Sequence, residues 1–196
     1  AGYMIPVEAW KYIVAAVREQ YPDTVFLLEG LGGKISETRR ILDEANFNWA
    51  YSELFQNYDR SQIEGYLPGT MEISRSQGIM VHYAETHDNN RMAAVSQCFS
   101  RMRTALCALC SHQGAFGFAN GVEWYATEKI NVHGASSLNW GASTNQVDEI
   151  RRLNSLLRVH PAFFDNTDLS MIQNGPGNYI VMLRHHRPTE KRVLAV

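Results

Sequence analysis

The chain lacks any apolar run long enough to span a bilayer, so it is not read as a helical membrane protein. Its first residues, AGYMIPVEAW, lack the charged start and long apolar stretch of a signal peptide. The chain also begins at Ala1 without a Met, so a cut or processed end is expected, and the missing leader says little about a longer parent protein. Cysteine is scarce: Cys98, Cys107 and Cys110 are an odd count with no disulfide framework, which favours a reducing compartment and points to the cytoplasm. There is no basic excess either, with 18 Lys and Arg against 20 Asp and Glu, so a nucleic-acid partner is not expected. No segment is of low complexity. What is present is globular: 196 residues, 45% hydrophobic and 19% charged, enough for a buried core.

Two short motifs can be set aside. Cys107 and Cys110 form a C-x-x-C, but they lie in an apolar helical stretch, RMRTALCALCSH, with no second Cys/His pair at zinc spacing. They read as small buried thiols. Gly30, Gly32 and Gly33 with Lys34 follow a strand, yet Ile35 stands where a phosphate loop needs Ser or Thr. Gly-x-Gly-x-x-Gly fails at the same residue. The glycines instead let the backbone turn sharply beside Glu29. No cofactor and no metal set is expected.

The order of elements carries the fold. Pro6 opens a helix whose apolar face is Val7, Trp10, Val14 and Val17. TVFLLE (24–29) reads as a strand, followed by a helix over 36–45 with Ser36 as its cap. A strand over 48–52 precedes a weaker helix over 59–67, broken at Pro68-Gly69. IMVHYA (79–84) is the next strand, and a long helix is predicted over 91–112. GAFGFA (114–119) is a fourth strand, followed by a polar and aromatic loop to Thr144. An amphipathic helix then spans 145–160, with Asp148 and Glu149 early and Arg158 late, as the helix dipole favours. Apolar strands alternating with helices predict a parallel sheet under helices. The tail gives strand runs SMIQ, NYIVMLRHH and RVLAV, with a turn at Asn174-Gly175-Pro176-Gly177. The expected division is 1–165 for an α/β unit and 166–196 for the start of a small β domain.

In a βα barrel, reactive side chains gather at the C-terminal ends of the strands. Glu29 ends one strand, and His87-Asp88 follow another by a few residues. Glycosyl transfer needs an acid for the leaving oxygen and an anionic group near an oxocarbenium ion, and burial at a barrel mouth can tune such an acid. Taken alone, Glu29 could equally be a salt-bridging residue and Asp88 a helix N-cap. Glu85 is expected to be structural. Among the aromatics, Trp49 reads as core, and Tyr51, Phe55 and Tyr58 cluster around the same strand. Trp124 and Trp140, in the loop after the last barrel strand, read as sugar contacts. His133 in that loop reads as exposed.

At these residues the chain resembles the α-amylase superfamily, glycoside hydrolase family 13. VHYAETHDNNR resembles its motif of a seventh barrel strand ending in His-Asp, and FLLEG its fifth strand ending in the acid/base Glu. AGYMIPVEAWKYIVAAVREQYPDT, GAFGFANGVEW and RRLNSLLRVHPAF are similar to the helix after the fourth strand, the eighth strand and the final barrel helix. The resemblance covers nearly the whole chain and implies a partial TIM (βα)8 barrel, about strands five to eight with their helices, followed by the start of a C-terminal β domain. It implies Glu29 as general acid/base, Asp88 as the residue that binds hydroxyls and stabilises the transition state, and His87 as a sugar ligand. Arg91 would bind substrate or position the His-Asp loop. Thr86 replaces the Asn that commonly precedes His-Asp, which points to a less typical subfamily. The family nucleophile, an Asp in a Gly-Phe-Arg-x-Asp motif, would lie before Ala1, so none is assigned here.

The implied activity is retaining double displacement on α-1,4-linked glucans or malto-oligosaccharides, with this chain alone expected to lack normal turnover. A maltosyltransferase or debranching-type enzyme of the same family, and a non-catalytic carbohydrate-binding relative, are the alternatives. Open barrel edges also lead to an expectation of self-association.

Overall fold

The computed structural model describes residues 2–134, 138–172 and 175–196. Helix α1 (Val7–Gln20) starts just after Pro6 and buries Val7 and Val14, with Trp10 packed beside them. Strand β1 is short, Leu27–Leu28, and α2 (Ile35–Ala45) follows. Strand β2 (Trp49–Tyr51) leads through a 3-10 turn at Glu53–Gln56 into α3 (Arg60–Ser74). Strand β3 (Ile79–Tyr83) precedes α4 (Met92–Val95) and α5 (Gln97–Cys110). Strand β4 (Phe116–Gly117), a long loop and α6 (Val147–Val159) complete the α/β part. Strands β5 (Thr167–Ile172), β6 (Val181–His186) and β7 (Lys191–Ala195) form a second sheet.

The first four strands make one parallel sheet in chain order, with Leu28 beside Ala50, Ala50 beside Met80, and His82 beside Phe116. The last three make an antiparallel meander. This is the α/β architecture the sequence predicts. Parallel strands point their C-terminal ends to one rim, so Glu29, Tyr51, Tyr83 and the residues after them share that rim. Leu28, Leu42, Ala50 and Met80 are buried together beneath it. Each fully buried leucine contributes roughly 1.5–3 kcal/mol.

The second sheet is attached through a shared core and one arginine. Met182 and Ala195 pack in the same cluster as Cys107 and Cys110. Arg184 of β6 is completely buried and faces no carboxylate among the described residues. It donates to the carbonyls of Leu109, Ser111 and Ala162 at 2.9, 2.6 and 2.7 Å, and its guanidinium lies 4.4 Å from the Phe163 ring centre. Burial lowers its pKa to about 10. Cys107 and Cys110 are free, buried thiols, and burial pushes both pKa values up, Cys107 to about 12. Among the described residues, no helix is long and apolar enough to cross a membrane.

Several local expectations are corrected. Ser36 does not cap α2: the cap position is Lys34, with extended backbone and no side-chain bond, and Ser36 lies inside the first turn. Helix α3 is not broken at Pro68-Gly69 but continues to Ser74. A capping box between Asp59 and Gln62 secures its start. Thr70, Met71, Ile73 and Ser74 bury its far half, and Thr70 Oγ1 donates to the Leu67 carbonyl at 2.8 Å. That burial offsets the one backbone bond the proline removes. The long helix over 91–112 is two helices, because Ser96 is extended and accepts a bond from Phe99 N at 3.0 Å as the cap of α5. Trp49 is not buried among the described residues: it is 43% exposed, on the face of β2 that also carries Tyr51 and opposite the buried Ala50. In the tail, Gln173 and Asn174 of the expected strand and turn lie outside the described residues.

Candidate active site

The loop after β1 places Glu29. Gly32 has a left-handed φ of 78°, and its N–H donates to Glu53 Oε1 at 2.5 Å, tying this loop to the turn after β2. A side chain on Gly33 would meet the Tyr3 ring at 2.6 Å, so the tight passage also needs glycine there. Glu29 follows directly on β1 and is exposed at the rim.

The loop after β3 places His87 and Asp88. Glu85 and Arg91 form a buried ion pair at 2.7 Å, 2% and 1% exposed. The other carboxylate oxygen of Glu85 accepts from Met92 N at 2.6 Å at the start of α4. Glu85, not Asp88, therefore satisfies that helix end. Between these anchors, Asn89 Oδ1 accepts from both Thr86 N and Thr86 Oγ1, at 3.1 and 2.6 Å, and closes the turn. His87 and Asp88 are left outside it, both exposed, with His87 Nε2 3.5 Å from Asp88 Oδ1. Thr86, the residue that departs from the usual Asn, thus does local work in holding the turn.

Arg91 does not face the cavity. Besides Glu85, it donates to the carbonyls of Asn120 and Glu128 at 2.7 and 3.1 Å. It pins the loop after β4 against the His-Asp loop. Gly121, at φ 95°, leaves room for this guanidinium: an added Cβ would lie 2.8 Å from Arg91 Nη2.

Glu29, His87 and Asp88 line one cavity of about 640 Å³. Its floor is aromatic: Tyr51 and Tyr83 meet edge to face at 4.9 Å, with Phe118 beyond. Burial, and secondarily Tyr51, raise the Tyr83 pKa to about 12, so its hydroxyl keeps its proton at neutral pH. A side chain on Gly117 would strike the Tyr83 ring at 2.7 Å, so β4 is bare where that ring lies. The sequence reading overlooked Tyr83, although its place at the end of a barrel strand was the available signal. The far wall comes from Ile130, Asn131 and Val132 of the long loop. His133 is exposed, as expected. Glu29 and Asp88 are open to solvent, so the burial expected around the acid is not provided by the residues described.

Trp124 and Trp140 do not line this cavity. Their rings lie 5.6 Å apart, tilted by 43°, in a second hollow against α6. Among the described residues, no three His, Cys, Asp or Glu side chains come together as a metal would need.

An α/β unit with four parallel strands in chain order, a rim cavity holding Glu29, His87 and Asp88, and an attached antiparallel sheet is what the fold defines. Comparison with known proteins agrees. The chain is 23% identical over 177 residues to an α-1,4-glucan:maltose-1-phosphate maltosyltransferase of Cereibacter sphaeroides, covering 84% of this chain and 29% of that protein. The counterpart from strain ATCC 17023 matches at the same identity, over 26% of its length. Among solved structures, an α-amylase from Lactobacillus plantarum superposes with a TM-score of 0.67 at 19% identity, covering 93% of this chain and 47% of that one. A cyclic α-maltosyl-(1→6)-maltose hydrolase from Arthrobacter globiformis gives 0.63 at 14% identity, over 98% and 51%. No protein-family model matches. The chain thus resembles the α-amylase superfamily in sequence and fold, and it spans under a third of the curated relatives' length and about half of the solved chains.

Proposed function

We propose that this chain carries the acid/base side of an α-glucan-active retaining enzyme. One observation supports it above the others: Glu29 and Asp88, from loops after different strands, line the same rim cavity beside His87. In this reading Glu29 protonates the leaving glycosidic oxygen and then deprotonates the incoming nucleophile. Asp88 binds sugar hydroxyls and stabilises the positive charge that develops at the anomeric carbon. His87 donates to a hydroxyl at the cleavage point, and the Tyr51–Tyr83 floor offers ring faces to the sugar. No residue of this chain is assigned the role of attacking carboxylate.

A transferase reading has its own support, since both curated relatives described above are named maltosyltransferases that use maltose 1-phosphate. The same two half-reactions serve both outcomes. They differ in the leaving group of the first step, a sugar hydroxyl or phosphate, and in whether water or a glucan hydroxyl takes the glycosyl group in the second.

The test uses the full-length protein with maltoheptaose, and with maltose 1-phosphate plus glycogen. Glu29→Gln is expected to lower turnover by about 10²–10⁴-fold, the usual worth of an acid/base group, and Asp88→Asn by about 10²–10³-fold, as for a group that stabilises transition-state charge. Product of retained α configuration by proton NMR supports double displacement. Phosphate release dependent on an acceptor selects the transferase. A Glu29→Gln protein as active as wild type would overturn the assignment, and a β product would overturn the mechanism.

A further inference from the structure

Arg184 brings a positive charge into the interior that no carboxylate answers. Among the described residues its guanidinium is hydrogen-bonded only to carbonyls, and one of these, Ser111, directly precedes His112. His112 is 2% exposed, and its ring makes no hydrogen bond among the described residues, with Nδ1 buried and unpartnered. A buried polar group in that state is costly unless something other than the protein bonds it.

The ring borders a polar cavity of about 400 Å³, where the ends of α3 and α5 meet β5 and the turn after β6. Arg75 and His112 precede β3 and β4, so this cavity lies at the end of the parallel sheet opposite the rim. Its walls come from both parts of the chain. Arg75 and Arg187 share Asp168: Arg187 Nε donates to one oxygen at 2.5 Å, and Arg75 Nη2 lies 3.6 Å from the other. Each contact uses one nitrogen of a guanidinium and leaves further N–H groups for a second acceptor. Asp165, also on the wall, makes no hydrogen bond or ion pair among the described residues. Three guanidinium groups, Arg75, Arg184 and Arg187, thus surround His112 and its cavity against two carboxylates, Asp165 and Asp168.

We propose that this cavity binds inorganic phosphate in a protonated form: Arg75, Arg187 and His112 donate to its oxygens, and its own O–H donates to Asp165. Paired guanidinium groups suit an oxyanion, and the unanswered Arg184 charge draws a negative ion to the seam. Asp165 then sorts one oxyanion from another. Inorganic phosphate keeps a proton at neutral pH and can donate it to a carboxylate. Sulfate has none, so it meets Asp165 as a like charge. Bound phosphate ties the ends of α3 and α5 to the antiparallel sheet, so its occupancy stabilises the attachment of the two parts by mass action. The site is separate from glycosyl chemistry and stands whether or not the chain acts on α-glucans.

The experiment titrates the full-length protein with inorganic phosphate and with sulfate, by calorimetry at pH 7 and constant ionic strength. Two temperatures are used, so that a vanishing enthalpy at one does not hide binding. Wild type is expected to bind phosphate with a Kd of about 1 mM or tighter, and sulfate at least about tenfold more weakly. Arg75→Gln is expected to weaken phosphate about tenfold, the worth of one charge-assisted hydrogen bond. Asp165→Asn is expected to bring sulfate within about twofold of phosphate, because the like charge is gone. Arg75 and Asp165 are both exposed, so these replacements leave the fold intact, which circular dichroism verifies. No phosphate binding up to about 10 mM would overturn the site. So would unchanged phosphate affinity in Arg75→Gln, since the ion would then sit elsewhere, the catalytic cavity included. Equal binding of sulfate and phosphate by wild type, or selectivity that survives Asp165→Asn, would refute the sorting by Asp165 and the assignment with it.

Discussion

Glu85 and Arg91 show how a charge near an active-site rim can be structural. Both are buried and bonded to each other, and every further bond they make goes to backbone. Removing one partner of such a pair strands the other's charge in a site without water. Glu85→Gln is therefore expected to destabilise the protein by about 3–5 kcal/mol. Arg91→Met added to it should recover much of that loss, because the stranded charge is then gone. Urea unfolding of the two single variants and the double variant measures this. A double variant that is as unstable as the sum of the singles would refute coupling between them. The sequence reading expected Glu85 to be structural. It could not show that Arg91 points inward, because only the folded loop after β4 supplies the carbonyls that hold it.

At the level of elements, caps decide what hydrophobic periodicity leaves open. The apolar pattern from Arg91 to His112 reads as one helix, and the break comes from Ser96, whose hydroxyl takes the Phe99 N–H that a continuous helix would have bonded elsewhere. The reverse holds in α3, where Pro68 signals a stop but four buried residues beyond it carry the helix to Ser74. Strand order and direction were legible because each apolar run is followed by a polar loop and a helix. Strand length was not, since β1 and β4 pair over two residues each and their flanks serve the rim loops. The catalytic candidates were legible for the same reason, since strand ends locate them. The distance of the tryptophans from the cavity of Glu29 and Asp88 was not legible, because the loop over 118–146 sets no direction until Gln146 and Arg91 anchor it. Ser96→Ala is expected to cost about 1 kcal/mol. Thermal unfolding reads it, and no change would mean that the kink is set by packing rather than by the cap.

Across the whole molecule, buried histidines couple stability to pH. His82 on β3 is buried at the centre of the α/β part, with Nδ1 2.7 Å from Ser52 Oγ. Burial, with a smaller contribution from the Arg184 charge, lowers its pKa from 6.5 to about 3. His112, between the two sheets, is lowered to about 4 by burial and by Arg184 and Arg75, against Asp165. The folded protein refuses a proton that the unfolded chain accepts at pH 6.5. Stability from these groups is thus fully present above that value and is lost as pH falls toward 3 or 4. For His82 the slope is about 1.4 kcal/mol per pH unit within the window, and His112, which is less enclosed, adds in the same direction. Between pH 6.5 and 5 most carboxylates stay ionised in both states, so the histidine contribution is isolated there. Urea unfolding at half-unit steps should show stability flat above pH 7 and falling below 6.5. His82→Asn, which keeps a partner for Ser52 but cannot titrate, should be less stable at pH 7.5 and lose less stability on acidification. Parallel pH profiles for wild type and His82→Asn would show that the acid sensitivity arises elsewhere.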